Sequence, residues 1–257
     1  LFHVREYVKA ESLEQAYELN KKKSSLLIGG MMWLRMSTRT KATVIDLSGL
    51  GLDTIEEDEN EFKIGCMCTL RQLETHSGLN QYFNNAFNEC TRHIVGTQFR
   101  NTATVGGSVF GRFGYSDILT CMMMLDTYVE LYHGGIVPLE AFAKQKLDRD
   151  ILVRVIIKKD GRQAAYITQR NAQTDFPVIA CAVAKKENQW YISVGARPDR
   201  AALTVQPVEN TPLEQQAEHA AAQFNYGTNM RATGEYRAHL AKVYIRRLME
   251  EIEKEGR

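Results

Sequence analysis

The stretch from Asp117 to Asp126 places the strongest limit on the fold. Its inner run, Ile-Leu-Thr-Cys-Met-Met-Met-Leu, reads as a helix that is apolar on nearly every face. A helix without a polar stripe has to be buried, so the rest of the chain must surround it. Three methionines in a row invite a soft-metal reading, but methionine is also the residue that fills irregular cores, and core filling is the simpler account.

Around this helix the hydrophobic spacing alternates between two periods. Residues 2–8 read as a strand. Ser12-Leu13-Glu14-Gln15 is a capping-box pattern, followed by Leu13, Ala16 and Tyr17 at helical spacing. Strands are expected at Ser25–Ile28, Thr43–Leu47 and Glu61–Cys66, and Thr69-Leu70-Arg71-Gln72 should open a short helix. Leu79, Tyr82, Phe83, Ala86, Phe87 and Cys90 follow helical spacing and predict one helix of three turns. A polar stretch, Gly96 to Thr104, comes next. After Pro138 the pattern changes: strands are expected at Ile151–Lys158, Ala164–Gln169, Val178–Lys185 and Trp190–Val194. The last two are joined by a hairpin turn at Lys186-Glu187-Asn188-Gln189. Two helices close the chain, one near Leu213–Phe224 and one carrying Tyr236, Leu240, Val243, Leu248 and Ile252 on one face. The class is α+β throughout. A boundary is expected near residues 145–155, dividing 1–150 from 151–257, with no Pro/Gly-rich linker and hence close packing of the two parts.

Composition excludes several functions. The formal net charge is +1, with 32 basic and 31 acidic residues. No global field would hold nucleic acid or an anionic membrane, and Lys21-Lys22-Lys23 reads as a solvated turn. No apolar run reaches the length of a membrane span, so membrane insertion is not expected. The opening Leu-Phe-His-Val-Arg-Glu-Tyr reads as a strand rather than a signal peptide, and a cytoplasmic location is expected. The 5 cysteines, Cys66, Cys68, Cys90, Cys121 and Cys181, are scattered through apolar patterns and read as core residues. The lone C-x-C at Cys66 and Cys68 has no second pair with which to hold zinc or iron–sulfur.

Two Gly-Gly pairs carry the chemistry. One lies in Leu26-Leu27-Ile28-Gly29-Gly30-Met31-Met32-Trp33, the other in Arg100-Asn101-Thr102-Ala103-Thr104-Val105-Gly106-Gly107-Ser108-Val109. Turns without a Cβ let successive backbone N–H groups converge on one spot, and such nests bind phosphate oxygens. Two of them could grip both phosphates of a dinucleotide. A tight turn alone also explains each pair. Neither fits the G-x-G-x-x-G or G-x-x-x-x-G-K-S/T patterns, so a common nicotinamide or ATP site is not indicated.

The order of these segments resembles the FAD-binding (middle) subunits of molybdenum hydroxylases, such as xanthine dehydrogenase, carbon monoxide dehydrogenase and nicotinate dehydrogenase. LLIGGMMWLRM is similar to the family's L-L-A-G-G-T-D-L-L-V-R-M, VIDLSGL to V-I-D-I-S-x-I, and FKIGCMCTLRQLE to I-G-A-x-x-T-L-x-x-L. IVGTQFRNTATVGGSV, from Ile94 to Val109, is similar to I-A-x-x-Q-I-R-N-x-A-T-I-G-G-N-I and is the most specific of the matches. Asp117 and the strand Tyr128 to Tyr132 match S-P-A-A-D-L and V-E-L. Met230 to Leu248 is similar to R-A-S-A-E-Y-R-x-H-L-A-x-V-L-x-R-R-A.

The resemblance implies a two-lobed, PCMH-like FAD-binding domain, then a C-terminal β-sheet-plus-helices domain of the CO dehydrogenase flavoprotein type. It implies FAD in this chain, and partner subunits holding 2Fe-2S clusters (small) and the molybdenum cofactor (large), with NAD as one possible acceptor. Position by position, it implies that Leu27, Ile28, Gly29, Gly30, Met31, Met32 and Trp33 wrap the FAD pyrophosphate by backbone N–H groups. Ala103, Thr104, Gly106, Gly107 and Ser108 would form a second wall. Asp117 matches the acid that bonds the ribityl or adenosine part, Ile94 an apolar contact, and Leu152 a contact near the ring.

The chain also departs from the family. Met31 and Met32 replace Thr and Asp, and that motif is one residue shorter. Ser108 replaces Asn, and Phe110-Gly111-Arg112-Phe113-Gly114-Tyr115 replaces the small residues before the acid. A lysine expected in the strand Ala164 to Gln169 is missing, which makes Arg112 or Arg170 the candidate cation. Two other readings stand beside the flavoprotein subunit: a flavin-free structural subunit of the same fold, and a free-standing flavoprotein oxidase. The last lacks both a covalent-flavin His motif and a separate substrate domain.

Overall fold

The computed structural model describes residues 2–255, so Leu1, included above in the opening strand, lies outside the described residues. The chain is α+β and is built on three sheets. The first is parallel, with β1 (His3–Lys9) and β2 (Ser25–Ile28) flanking β3 (Thr40–Asp46). Helix α1 (Leu13–Asn20) connects β1 to β2, and the Ser12 hydroxyl caps it by accepting from the Gln15 amide at 3.1 Å.

The second sheet is antiparallel, in the order β4 (Ile55–Glu57), β5 (Glu61–Gly65), β8 (Leu152–Lys158), β6 (Thr127–Leu131), β7 (Gly135–Pro138). Its central strand therefore comes from beyond residue 150. Glu61 pairs with Lys158 on one edge of β8, and Thr127 with Ile157 on the other. The division expected at 150/151 would cut this sheet. Residues 152–158 belong with the N-terminal part, because β5 and β6 each leave an edge that only β8 fills.

Between β5 and β6 the chain forms six short helices: α2 (Leu70–Thr75), α3 (Ser77–Tyr82), α4 (Ala86–Thr91), α5 (Thr97–Arg100), α6 (Val105–Phe110) and α7 (Asp117–Met123). Thr69 and Gln72 make the reciprocal capping box at the start of α2. The single helix expected from Leu79 to Cys90 is broken. Asn84 and Asn85 sit at φ 48° and 57°, a left-handed conformation that asparagine tolerates, and the chain turns there between α3 and α4. The apolar residues keep their spacing across the break, and Leu79, Phe83, Ala86, Phe87 and Cys90 are all buried. Helix α8 (Leu139–Lys144) follows β7.

The third sheet is an antiparallel meander of β9 (Gln163–Arg170), β10 (Pro177–Lys186), β11 (Gln189–Gly195) and β12 (Ala202–Pro207). It is covered on both faces, as the alternation in β10 shows. Ala180, Ala182 and Ala184 join the main core, while Ile179, Cys181 and Val183 face α9 (Leu213–Ala222) and α10 (Gly234–Glu255). The small alanines let α7 approach. Every residue of α7 is buried; it packs on α4 to one side and on β10 and β11 to the other. In α10 the buried stripe runs through Leu240, Ala241, Tyr244, Ile245, Leu248, Met249 and Ile252, which leaves Tyr236, expected on that face, exposed. Among the described residues no helix is long and apolar enough to cross a membrane.

Candidate functional site

A cavity of about 910 Å³ opens where the three sheets meet. That is near the upper end of the roughly 300–1,000 Å³ usual for ligand sites. The turn after β2 lines one side, the turn before α6 another, and Leu152 of β8 and Arg170 of β9 the remainder. All fifteen residues named from the resemblance line it: Leu27 to Trp33, Ile94, Ala103, Thr104, Gly106, Gly107, Ser108, Asp117 and Leu152.

The two glycine turns touch each other. A Cβ on Gly29 would run into the Thr104 side chain. One on Gly30 would lie 2.5 Å from the Thr102 carbonyl carbon, and one on Gly106 would lie 2.6 Å from the Cys66 carbonyl oxygen. These glycines let neighbouring segments of the protein pack closely, rather than making way for a ligand. The turns also differ in what their amides do. The second turn has used its own: the amides of Val105 and Gly106 donate to the carbonyls of Cys68 and Cys66, both at 2.8 Å. Those of Gly107 and Ser108 donate to the Thr104 side chain and carbonyl. Thr104 caps α6, and the cap uses the donors that a phosphate nest would have needed. The expectation of two equivalent nests is therefore corrected to one. In the first turn, among the described residues, nothing accepts from the amides of Gly29, Gly30, Met31, Met32 or Trp33. Met31 is held at φ 56° to make this arc. Five consecutive amides on a cavity wall without a protein acceptor fit an anionic ligand such as a diphosphate.

Deeper in the wall, Asp117 opens α7 and is almost fully buried. Its Oδ1 accepts from the Tyr166 hydroxyl at 2.6 Å and lies 2.7 Å from Arg170 Nη2, with both ionic side chains at most 6% exposed. Burial pushes the Asp117 carboxyl above its ordinary range, against the opposing pull of the Arg170 charge and the Tyr166 hydrogen bond. Arg170 Nε is buried without a hydrogen-bond partner. Arg112 is placed elsewhere: it is buried away from the cavity, with its guanidinium 3.7 Å from the centre of the Phe142 ring and donating to the carbonyls of Phe142 and Phe110. Of the two candidate cations, only Arg170 reaches the cavity wall. The five cysteines are free and buried, and burial raises the Cys66 and Cys68 thiols to about 12 and about 11. Among the described residues no group of three or more His, Cys, Asp or Glu side chains is arranged to hold a metal.

Two parts of the wall were not named from the sequence. Arg149 lines the cavity and donates to the carbonyls of Asn20, Lys22 and Lys23, tying the segment before β8 to the start of β2. Phe99, Tyr115 and Phe176 also line it, and they join Trp33, already named, in an aromatic group. Its members come from segments far apart in the chain, and nothing local in the sequence marks them as neighbours.

A dinucleotide-sized cavity beside a single arc of free amides, set between three sheets, defines a cofactor-binding chain. Residues 2–159 match the family described as FAD binding domain in molybdopterin dehydrogenase, and the chain belongs to that family. The matched part is thus an FAD-binding domain of the molybdopterin dehydrogenase type. It is 25% identical over 259 residues to the uncharacterized protein YgfM of Escherichia coli K12, covering 98% of each chain. Its fold is similar to a chain of quinoline 2-oxidoreductase from Pseudomonas putida 86, with TM-score 0.84, 17% identity, and coverage of 98% of this chain and 96% of that one. It is likewise similar to a chain of reconstituted CO dehydrogenase from Oligotropha carboxidovorans, with TM-score 0.83, 22% identity, and coverage of 95% and 96%. At these identities the structural likeness shows the fold.

Proposed function

We propose that this chain is the electron-transfer flavoprotein of a molybdenum hydroxylase complex, similar in role to the middle subunit of xanthine dehydrogenase. A large partner subunit would hold the molybdenum cofactor and a small one the 2Fe-2S clusters. NAD or another acceptor would take the electrons in the end. Bound FAD would supply the redox chemistry, exchanging electrons between the clusters and that acceptor.

The chain's own residues bind and orient. The amides from Gly29 to Trp33 donate to the diphosphate, and this unpartnered arc is the observation that carries the reading. The turn from Ala103 to Ser108, fixed by its own hydrogen bonds, backs the arc. Asp117, oriented by Tyr166 and Arg170, would accept from a hydroxyl of the sugar chain. Ile94 and Leu152 give apolar contact. The replacement of the family's polar pair by Met31 and Met32 leaves the donors intact, because they belong to the backbone. Purification from the native source is the test. The expected result is a visible flavin spectrum, with an iron–sulfur chain and a molybdenum chain co-purifying. A colourless protein that takes up no FAD on incubation would refute the reading in favour of a flavin-free structural subunit.

A further inference from the structure

We propose that the Trp33 indole, with Phe99, Tyr115 and Phe176 behind it, is a stacking platform for one of the two flat heterocycles that flank the diphosphate of the bound dinucleotide. The proposal rests on the flavoprotein reading and gives Trp33 a side-chain role beyond its amide.

Trp33 ends the arc of free amides, so its ring stands next to the position the arc assigns to the diphosphate. In FAD a heterocycle lies beyond a sugar on either side of that group. The protein has 2 tryptophans. Trp190 is completely buried between the third sheet and its helices, whereas Trp33 is 42% exposed on the cavity wall. A broad aromatic ring half open on a cavity wall offers a flat face that a ligand ring can cover.

The ring is also fixed in place. Phe176 stacks on it with centroids 5.1 Å apart and planes at 27°. Phe99 and Tyr115 stand edge-on at 5.5 and 6.2 Å. Tyr115 braces Phe176 at 4.5 Å. The Arg231 guanidinium lies 5.0 Å from the Phe176 ring and pairs with Asp175, which pins the start of β10. These rings come from the first turn, α5, the loop before α7 and the loop before β10, so the surface exists before any ligand arrives. A preorganised aromatic face loses little entropy on binding and accepts any flat π-system.

Alanine-type loss of one base–aromatic stack weakens binding by about 5- to 140-fold. The test uses the full-length chain freed of cofactor, with calorimetry and absorbance. Trp33→Leu should weaken FAD binding by about that factor, and Trp33→Phe should restore most of it. Binding of inorganic pyrophosphate, which has no ring, should be equal in all three proteins. If adenine is the stacked ring, ADP quenches wild-type tryptophan emission and loses affinity in Trp33→Leu. If it is the flavin ring, FMN does the losing and bound FAD gains a long-wavelength absorbance shoulder in the wild type alone. FAD binding to Trp33→Leu as tightly as to wild type, with ADP and FMN likewise unaffected, overturns the platform while leaving the flavoprotein reading intact. Failure of the wild type to bind FAD overturns both.

Discussion

The contact between the two turns makes Gly30→Ala the most informative single substitution. The new methyl carbon would lie 2.5 Å from the Thr102 carbonyl carbon, and the Ala103 amide nitrogen is 3.0 Å away. Nonbonded carbons settle at about 3.5–4.0 Å, so the turns must part by about 1 Å or more. Both neighbours are backbone atoms, and no side-chain rotation relieves the clash. Overpacking of this kind costs about 1–3 kcal/mol. For a chain near this size, each kcal/mol lowers the melting midpoint by about 2–4 °C, giving an expected drop of about 2–12 °C.

The effect on cofactor binding should be larger than the effect on stability. A donor displaced by about 1 Å from an acceptor at hydrogen-bonding distance no longer makes a bond. A hydrogen bond to a charged group contributes about 1.5–3 kcal/mol, so each lost diphosphate contact should weaken FAD about ten-fold or more. Gly107→Ala is the internal control for stability. Its Cβ would meet only Thr104 Oγ1, at 3.2 Å, and it should melt within about 1 kcal/mol of wild type. Thermal unfolding and FAD calorimetry on the two variants separate these effects. If Gly30→Ala melts with the wild type and binds FAD equally well, the turns are not in the contact described, and the case for one built cradle fails with it.

The buried pair at the cavity wall gives another expectation. Asp117→Leu leaves the Arg170 guanidinium buried without its counter-charge and should cost about 3–5 kcal/mol in urea unfolding. Asp117→Leu combined with Arg170→Leu should cost less than Asp117→Leu alone, and an additive loss would deny the coupling. A second buried pair predicts acid sensitivity. Arg100 makes two hydrogen bonds to Glu74, at 2.7 and 3.0 Å, and so joins α2 to α5. Burial pushes the Glu74 carboxyl up, but the bonds and charges of Arg100 and Arg71 outweigh it, and its pKa ends below the ordinary 4.5. A depressed folded-state pKa means stability that is fully present above the ordinary value and is lost as the pH falls through the folded one. Unfolding free energy should therefore decline on acidification below about pH 4.5, more steeply in wild type than in Glu74→Gln, and equal slopes would contradict this. Arg112→Met removes two donors to buried carbonyls, so it should lower stability by about 1–3 kcal/mol while leaving the FAD dissociation constant unchanged; a weakened constant would return Arg112 to the site.

Local pattern carried most of the elements and little of their partnership. Strands such as Ser25–Ile28 and the caps at Ser12 and Thr69 were legible because a short apolar run and a cap act over a few residues. The break between α3 and α4 was not, since the apolar spacing continues straight across it and only the Asn84-Asn85 pair hints at a turn. The place of Leu152–Lys158 could not be read locally either, because its neighbours, Glu61–Gly65 and Thr127–Leu131, lie far along the chain. The site divides in the same way. Glycine pairs are visible as letters, and every residue that the family resemblance named lines the cavity. The purpose of the missing Cβ atoms was not visible, because it depends on what the other turn places opposite them. The aromatic group was hidden for the same reason: Trp33, Phe99, Tyr115 and Phe176 become neighbours only after the sheets dock.

The unequal use of amides in the two turns explains how this chain departs from its family's letters without losing the cradle. The second turn satisfies its own donors through Cys66, Cys68 and Thr104, which fixes it rigidly against β5 and α2. The first turn keeps its donors free and takes its position from contact with the second. Rigidity and hydrogen-bonding capacity thus sit on different segments, and neither depends on the side chains of Met31 and Met32. Substitution there changes what the cavity touches without changing what it donates, whereas a single methyl at Gly30 changes where every donor stands.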